Sequence, residues 1–229
     1  MFRLFDFSLE SILQFLLILP IILISLPVHE SAHAYVSYKL GDPTARNLGR
    51  ITLNPVKHFD LLGFICMLIF RFGWAKPVPI NSRNFKKPRR DMALSALAGP
   101  ASNLLLAFLG VILYNVAILI FSGVEFGSER ALSVAWVTVE FFFLFAYLNI
   151  NLAVFNFIPV PPLDGSRILY VFLPPKWYFG VMKYERYISL AIMLLVFLGL
   201  LSGPLQTISS AIFNGMNFLV NLIPDLLKG

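Results

Sequence analysis

The sequence predicts an all-α polytopic membrane protein, with about five to six transmembrane helices and short extended or re-entrant segments near the cytoplasmic face. Three observations point there. Of the 229 residues, 58% are hydrophobic and only 13% are charged, against about 25% charged in a soluble domain. The stretches 11–28, 92–124, 141–163 and 187–224 contain no Asp, Glu, Lys or Arg, and a helix needs about 20 apolar residues to cross the hydrocarbon. The basic residues are also gathered. Ten of the 18 Lys and Arg lie between residues 42 and 90, against two acids there, Asp42 and Asp60. Between membrane segments this is the positive-inside pattern of a cytoplasmic loop, so no nucleic-acid partner is expected.

The first helix is expected from about Leu9 to Leu40, bent by Pro20 and Pro27 and ended by Gly41. It exceeds the membrane thickness, so one end must tilt or emerge. "SAHA" (31–34) supplies an A-x-A pattern for signal cleavage. Arg3 is offset by Asp6 and Glu10, however, and the later spans hold the chain in the membrane regardless. Two segments look extended, "NLGRITLNP" (47–55) and "GWAKPVPIN" (73–81). Between them "LLGFICMLIF" (61–70) is short for a span and is expected to be re-entrant.

A second helix over 91–121 opens with the small residues "ALSALAGPASN" (93–103), which let helices approach closely. After the outer loop "SGVEFGSER" (122–130), a third helix over 131–158 returns to "FNFIPVPPLDGSR" (155–167). Trp177, Tyr178, Tyr184 and Tyr187, mixed with Lys176, Lys183 and Arg186, suit an interfacial belt. Two closing helices, 187–202 and 205–223, are separated at Gly203–Pro204. With the single cysteine, Cys66, neither an internal disulfide nor a cysteine-based metal site is expected.

Ionisable groups inside a span cost roughly 2.5–3.5 kcal/mol each and mark function. His29-Glu30-Ser31-Ala32-His33 is an H-E-x-x-H on the first helix. Histidines at i and i+4 project from one face, so both can reach one Zn²⁺, and Glu30 is placed to take a proton from its water. A chance pairing is the bland alternative, but the chain has only three histidines. Catalytic zinc takes a third protein ligand. His58, in "NPVKHFD", and Asp164, after a proline-rich break in "PVPPLDG", are both candidates, and the residues alone leave them open.

These motifs resemble the site-2 protease family of intramembrane zinc metalloproteases, peptidase family M50. His29–His33 matches its first motif, and "NFIPVPPLDG" (156–165) fits its N-x-x-P-x-P-x-x-D-G. "GWAKPVPIN" and "ALAGPASN" resemble a compact branch, and no PDZ insertion or CBS tail is recognisable. The resemblance covers about residues 20–170. It implies one Zn²⁺ held by His29, His33 and Asp164, with Glu30 as the base. It also implies hydrolysis of peptide bonds within or near transmembrane segments of single-span proteins or residual transmembrane peptides. The setting would be a prokaryotic cell membrane, with the active site towards the cytoplasmic side. Residues 1–229 then read as one transmembrane protease domain, with a catalytic core at about 9–170 and C-terminal helices at about 184–223. A homo-oligomer is compatible with this picture.

Other polar residues carry weaker expectations. Asn156 and Asn103 are candidates for holding substrate backbone or the developing oxyanion, against a helix cap and an interhelical hydrogen bond respectively. Asn149 and Asn151 suit helix packing, Glu140 the outer interface, and His58 a loop. Each zinc histidine needs a hydrogen-bond partner that the sequence does not identify. The extended segments could offer an edge strand to an unwound peptide. A metal transporter or a non-proteolytic zinc-binding membrane protein is the rival reading.

Overall fold

In the computed structural model, which describes residues 8–70 and 73–227, the long uncharged runs form long helices. The predicted roles of Arg3 and Asp6, and the charge of Arg71, lie outside the described residues. In chain order the helices are α1 (Leu9–Lys39), α2 (Thr44–Asn47), α3 (Leu61–Phe70), α4 (Pro88–Ser122), α5 (Glu129–Phe157), α6 (Asp164–Leu169), α7 (Pro175–Met182), α8 (Glu185–Phe197) and α9 (Ser202–Leu227). The all-α polytopic class is the one observed. Among the described residues the extended pairing is a single β-bridge between Phe59 and Ala75.

α1, α4 and α5 are long and apolar enough to cross a membrane. Pro20 and Pro27 lie inside α1 and Pro100 inside α4, where neighbouring helices can satisfy the freed carbonyls. Gly41, with φ +112°, lies just past the end of α1. The span count is lower than expected. α8 has 13 residues, about 20 Å at 1.5 Å each, so it cannot cross alone. It meets α9 at 79°, and the bent pair counts as at most one further span, giving three or four among the described residues. α3, with 10 residues, is about 15 Å long and is also too short to cross. Segment 47–55 is not extended either. It is the end of α2, a turn and the start of a 3₁₀ turn, Pro55–Lys57.

The core lies where α4, α5 and α9 meet, around Ala107, Val111, Ala146, Ile150, Val154 and Phe213. Ala107 and Gly110 of α4 and Ala146 of α5 let the two backbones close up there, and a Cβ on Gly110 would come within about 3 Å of the Ala146 backbone. Polar pairs cross the same seams: Asn115 donates to Asn217 at 2.8 Å, and Ser209 donates to Asn151 at 2.6 Å. Trp177, Tyr184 and Tyr187 are exposed, as an interfacial belt requires. The side chain of Tyr178 lies outside the described part. Glu140 is exposed on α5.

The loop from α1 to α4 is held by polar side chains and by a small apolar cluster, Ala45 and Val78 against Ala34 of α1 with Ile51 and Ile80 packed on it. Asp42, fully buried, accepts from the backbone N–H of Thr44 and Asn81 and from the Asn84 amide. Arg50 Nη2 donates to the Lys76 carbonyl at 2.5 Å, and the Lys76 N–H donates to the His58 carbonyl at 2.8 Å. Val78 packs with Ala34 and donates its N–H to Glu30, which lays segment 73–81 against the C-terminal half of α1.

Candidate metal centre and active site

The H-E-x-x-H lies wholly within α1, so His29 and His33 stand one turn apart, with ring planes at 85° and Nε2 atoms 3.0 Å apart. α5 stops at Phe157 because Pro159, Pro161 and Pro162 have no N–H to continue its ladder. The chain then turns into α6, whose first residue is Asp164. Gly165 makes that turn fit, since a Cβ there would run into the carbonyl groups of Phe157 and Ile158. Asp164 Oδ2 reaches back to α1, lying 3.2 Å from His29 Nε2 and 3.1 Å from His33 Nε2.

The protonation of the rings follows from their other nitrogens. His33 Nδ1 lies 2.7 Å from the Ser95 carbonyl, which can only accept, so Nδ1 carries the proton. His29 Nδ1 lies 2.5 Å from Asn103 Oδ1. That amide is oriented by a relay: Asn149 Nδ2 donates to the Phe145 carbonyl, and Asn103 Nδ2 donates to Asn149 Oδ1. Asn103 Oδ1 is thus left as an acceptor, and His29 Nδ1 must donate to it. With Nδ1 donating on each ring, Nε2 is the atom left to offer a lone pair, and both Nε2 atoms face each other and Asp164 Oδ2.

Three lone-pair atoms facing one point would repel each other without a cation among them. Donors around a tetrahedral zinc at about 2.0–2.1 Å stand about 3.3 Å apart. The triangle here, with sides of 3.0, 3.1 and 3.2 Å, has the dimensions of one face of that polyhedron. His29, His33 and Asp164 could therefore hold a metal ion. Room for the two rings depends on Gly99 of α4, where a Cβ would come within 3 Å of both.

The model of peptidase family M50 matches residues 16–202. The chain is 46% identical over 154 residues to "Putative zinc metalloprotease YwhC" of Bacillus subtilis, a match covering 67% of this chain and 68% of that relative. It is 29% identical over 166 residues to a Mycolicibacterium smegmatis protein called "Putative zinc metalloprotease Rip2", covering 71% of this chain and 59% of the relative. The chain belongs to peptidase family M50. It is a zinc metalloprotease of the site-2 protease family, with zinc as its metal. No solved structure matches it.

In this M50 protease Glu30 shares a cavity of about 130 Å³ with the three donors, and Val78, Asn156 and Arg167 also line it. Glu30 Oε2 accepts from the Val78 N–H at 3.0 Å, which anchors the carboxylate to segment 73–81. Asn156 lines the cavity while its amide donates to the Leu152 carbonyl at 2.9 Å. A larger cavity of about 430 Å³ near Tyr114 and Trp136 is lined mainly by apolar side chains and lies apart from these residues.

Asn103 is fully buried behind His29 with both ends of its amide engaged, and its Nδ2–H donates to Asn149 on α5, the interhelical hydrogen bond that the sequence set beside a substrate role. Segment 73–81, the expected edge strand, has few N–H groups left between residues 76 and 79. Lys76 and Val78 have already committed their N–H groups, and Pro77 and Pro79 have none. His58 lies away from the histidine pair, with Nε2 donating to the Thr52 carbonyl at 2.8 Å. Ser95 and Asn149 were missed as supports. Ser95 sits in the small-residue patch but acts through its backbone, which no side-chain pattern announces.

Proposed function

We propose that this chain is an intramembrane protease, hydrolysing peptide bonds within or near transmembrane segments of single-span proteins or of residual transmembrane peptides. The observation that carries the reading is the donor triangle, 3.0–3.2 Å on a side, beside a carboxylate in one cavity, with two of its corners on a helix of membrane length. His29, His33 and Asp164 would hold one zinc ion. Bound there, zinc polarises a carbonyl and acidifies a water. Glu30 takes the proton from the attacking water and delivers it to the leaving amine. Its grip on the Val78 N–H fixes one oxygen and leaves the other for this exchange. Burial of the donors restricts bulk water, and a helical substrate must unwind locally to present a carbonyl.

The basic segment 42–90 supports an orientation with the active site towards the cytoplasm of a prokaryotic cell. A transporter or a zinc-binding protein without activity would have no use for Glu30 beside the first ligand. The test uses detergent-purified wild type and Glu30→Gln, elemental analysis for zinc, and a panel of synthetic single-span peptides. Both should hold about one zinc per chain. The variant should lose turnover by roughly 10²–10⁴-fold. Zinc missing from the wild type, or equal cleavage by both, would overturn the reading.

A further inference from the structure

We infer that Arg167 is a further catalytic residue: its guanidinium donates to the scissile carbonyl oxygen as that oxygen becomes an oxyanion. The inference rests on the proteolytic reading above. α6 sets Arg167 three residues after Asp164, a spacing that puts both on one helix face, and both line the cavity with Glu30. It is the one arginine or lysine among the described residues lining that cavity. Although it shares the space with two carboxylates, it forms an ion pair with neither. Among the described residues none of its five N–H groups has a partner.

Charge bookkeeping supports the assignment. The zinc charge of +2 is balanced by Asp164 and Glu30 with neutral histidines, so Arg167 leaves the cavity one unit positive. A partly desolvated guanidinium needs a counter-charge, and within the cavity the reacting substrate is what brings one. As the water oxygen bonds to the carbonyl carbon, the π pair moves onto the carbonyl oxygen while Glu30 takes the water proton. When the C–N bond breaks, that pair re-forms the C=O bond and Glu30 protonates the departing nitrogen. Arg167 is needed only between those two moments, which is where preorganised donors act most strongly. Asn156 is the rival donor, but one of its two amide N–H groups is already given to Leu152. A neutral amide is also roughly half as strong a donor as a charged one.

The experiment compares full-length wild type, R167Q, R167K, R167A and E30Q in detergent, against the single-span peptide panel, with zinc content and thermal unfolding measured for each. R167Q should lower kcat by about 10²–10³-fold, with KM within about threefold and zinc unchanged. R167K should recover part of the loss, and free guanidinium ion should raise the turnover of R167A, which a purely structural role would not allow. Wild-type turnover by R167Q sinks the inference, as does a rise in KM at constant kcat, or a loss of zinc that accounts for the defect. If E30Q is inactive while R167Q is not, only the Arg167 role falls. If wild type and E30Q are equal, the protease reading falls and takes this inference with it.

Discussion

The two histidines on α1 are held by different regions of the bundle. At the α4–α5 seam, His29 leans on a relay of side chains, Asn103 to Asn149 to the Phe145 carbonyl. At the α1–α4 seam, His33 leans directly on main chain, the Ser95 carbonyl, while the Ser95 hydroxyl pairs with Ser37 at 2.5 Å. The chemistry delivered is the same, a proton fixed on Nδ1. The vulnerability is not. A side-chain relay can be cut by substitution, whereas a carbonyl survives any change of its residue that keeps the helix.

Substitutions along α4 should break this comparison apart. Gly99→Val removes the room both seams share, since even a Cβ there collides with both rings. Zinc affinity should fall by more than about 100-fold, beyond the roughly 10–100-fold that loss of an outer partner costs, and elemental analysis after dialysis should find the protein essentially zinc-free. Asn103→Leu cuts only the His29 side. Zinc affinity should drop by about 10–100-fold, measured by competition with a chelator, with the helical signal in circular dichroism retained.

The loop gives a third, smaller effect that tests whether the wall behind Glu30 is independent of the seams. Burial by itself would raise the Asp42 carboxyl, but hydrogen bonds from Thr44, Asn84 and Asn81 outweigh it and hold it below the ordinary value. A folded pKa below the unfolded one means the stabilisation is present above the unfolded value, near 4, and drains away as pH falls through the folded one. Hydrogen exchange at Asn81 and its neighbours should therefore stay slow at pH 5 and accelerate only below about pH 4. Asp42→Ala should speed that exchange at neutral pH by an amount worth about 1–3 kcal/mol and abolish the acid transition, with zinc retained. Ser95→Ala should do least. It loses the hydroxyl pair to Ser37 and a longer bond to the His33 carbonyl at 3.3 Å but keeps its own carbonyl, so zinc affinity should stay within about threefold and stability within roughly 1 kcal/mol. A large loss of zinc from Ser95→Ala would show that the hydroxyl, not the backbone, supports His33.

What could be read beforehand divides along physical lines. The ends of α1, α4 and α5 were legible to within a few residues, because uncharged runs, prolines and glycines act locally. His29, Glu30 and His33 were legible because their spacing is fixed by one helical turn. The residues left His58 and Asp164 equally open as a third donor, and only the resemblance separated them. The structure sets Asp164 beside the pair because the α5–α6 turn folds back, a long-range event that no local spacing encodes. The span count went astray since the angle between α8 and α9 cannot be inferred from hydropathy. Asn103 announced itself as a polar group in an apolar helix, but which way its amide faces is decided by Asn149 and Phe145 on another helix.

The Gly165 turn has a mechanical consequence. Because it presses against the last carbonyls of α5, the Asp164 carboxylate stands on a different part of the chain from the imidazoles of α1. A zinc ion held by all three would tie those two parts together, and a tilt of α1 against the α5–α6 turn would deform its coordination. A cobalt(II) substitute would turn that deformation into a change of colour, an optical strain gauge for the bundle.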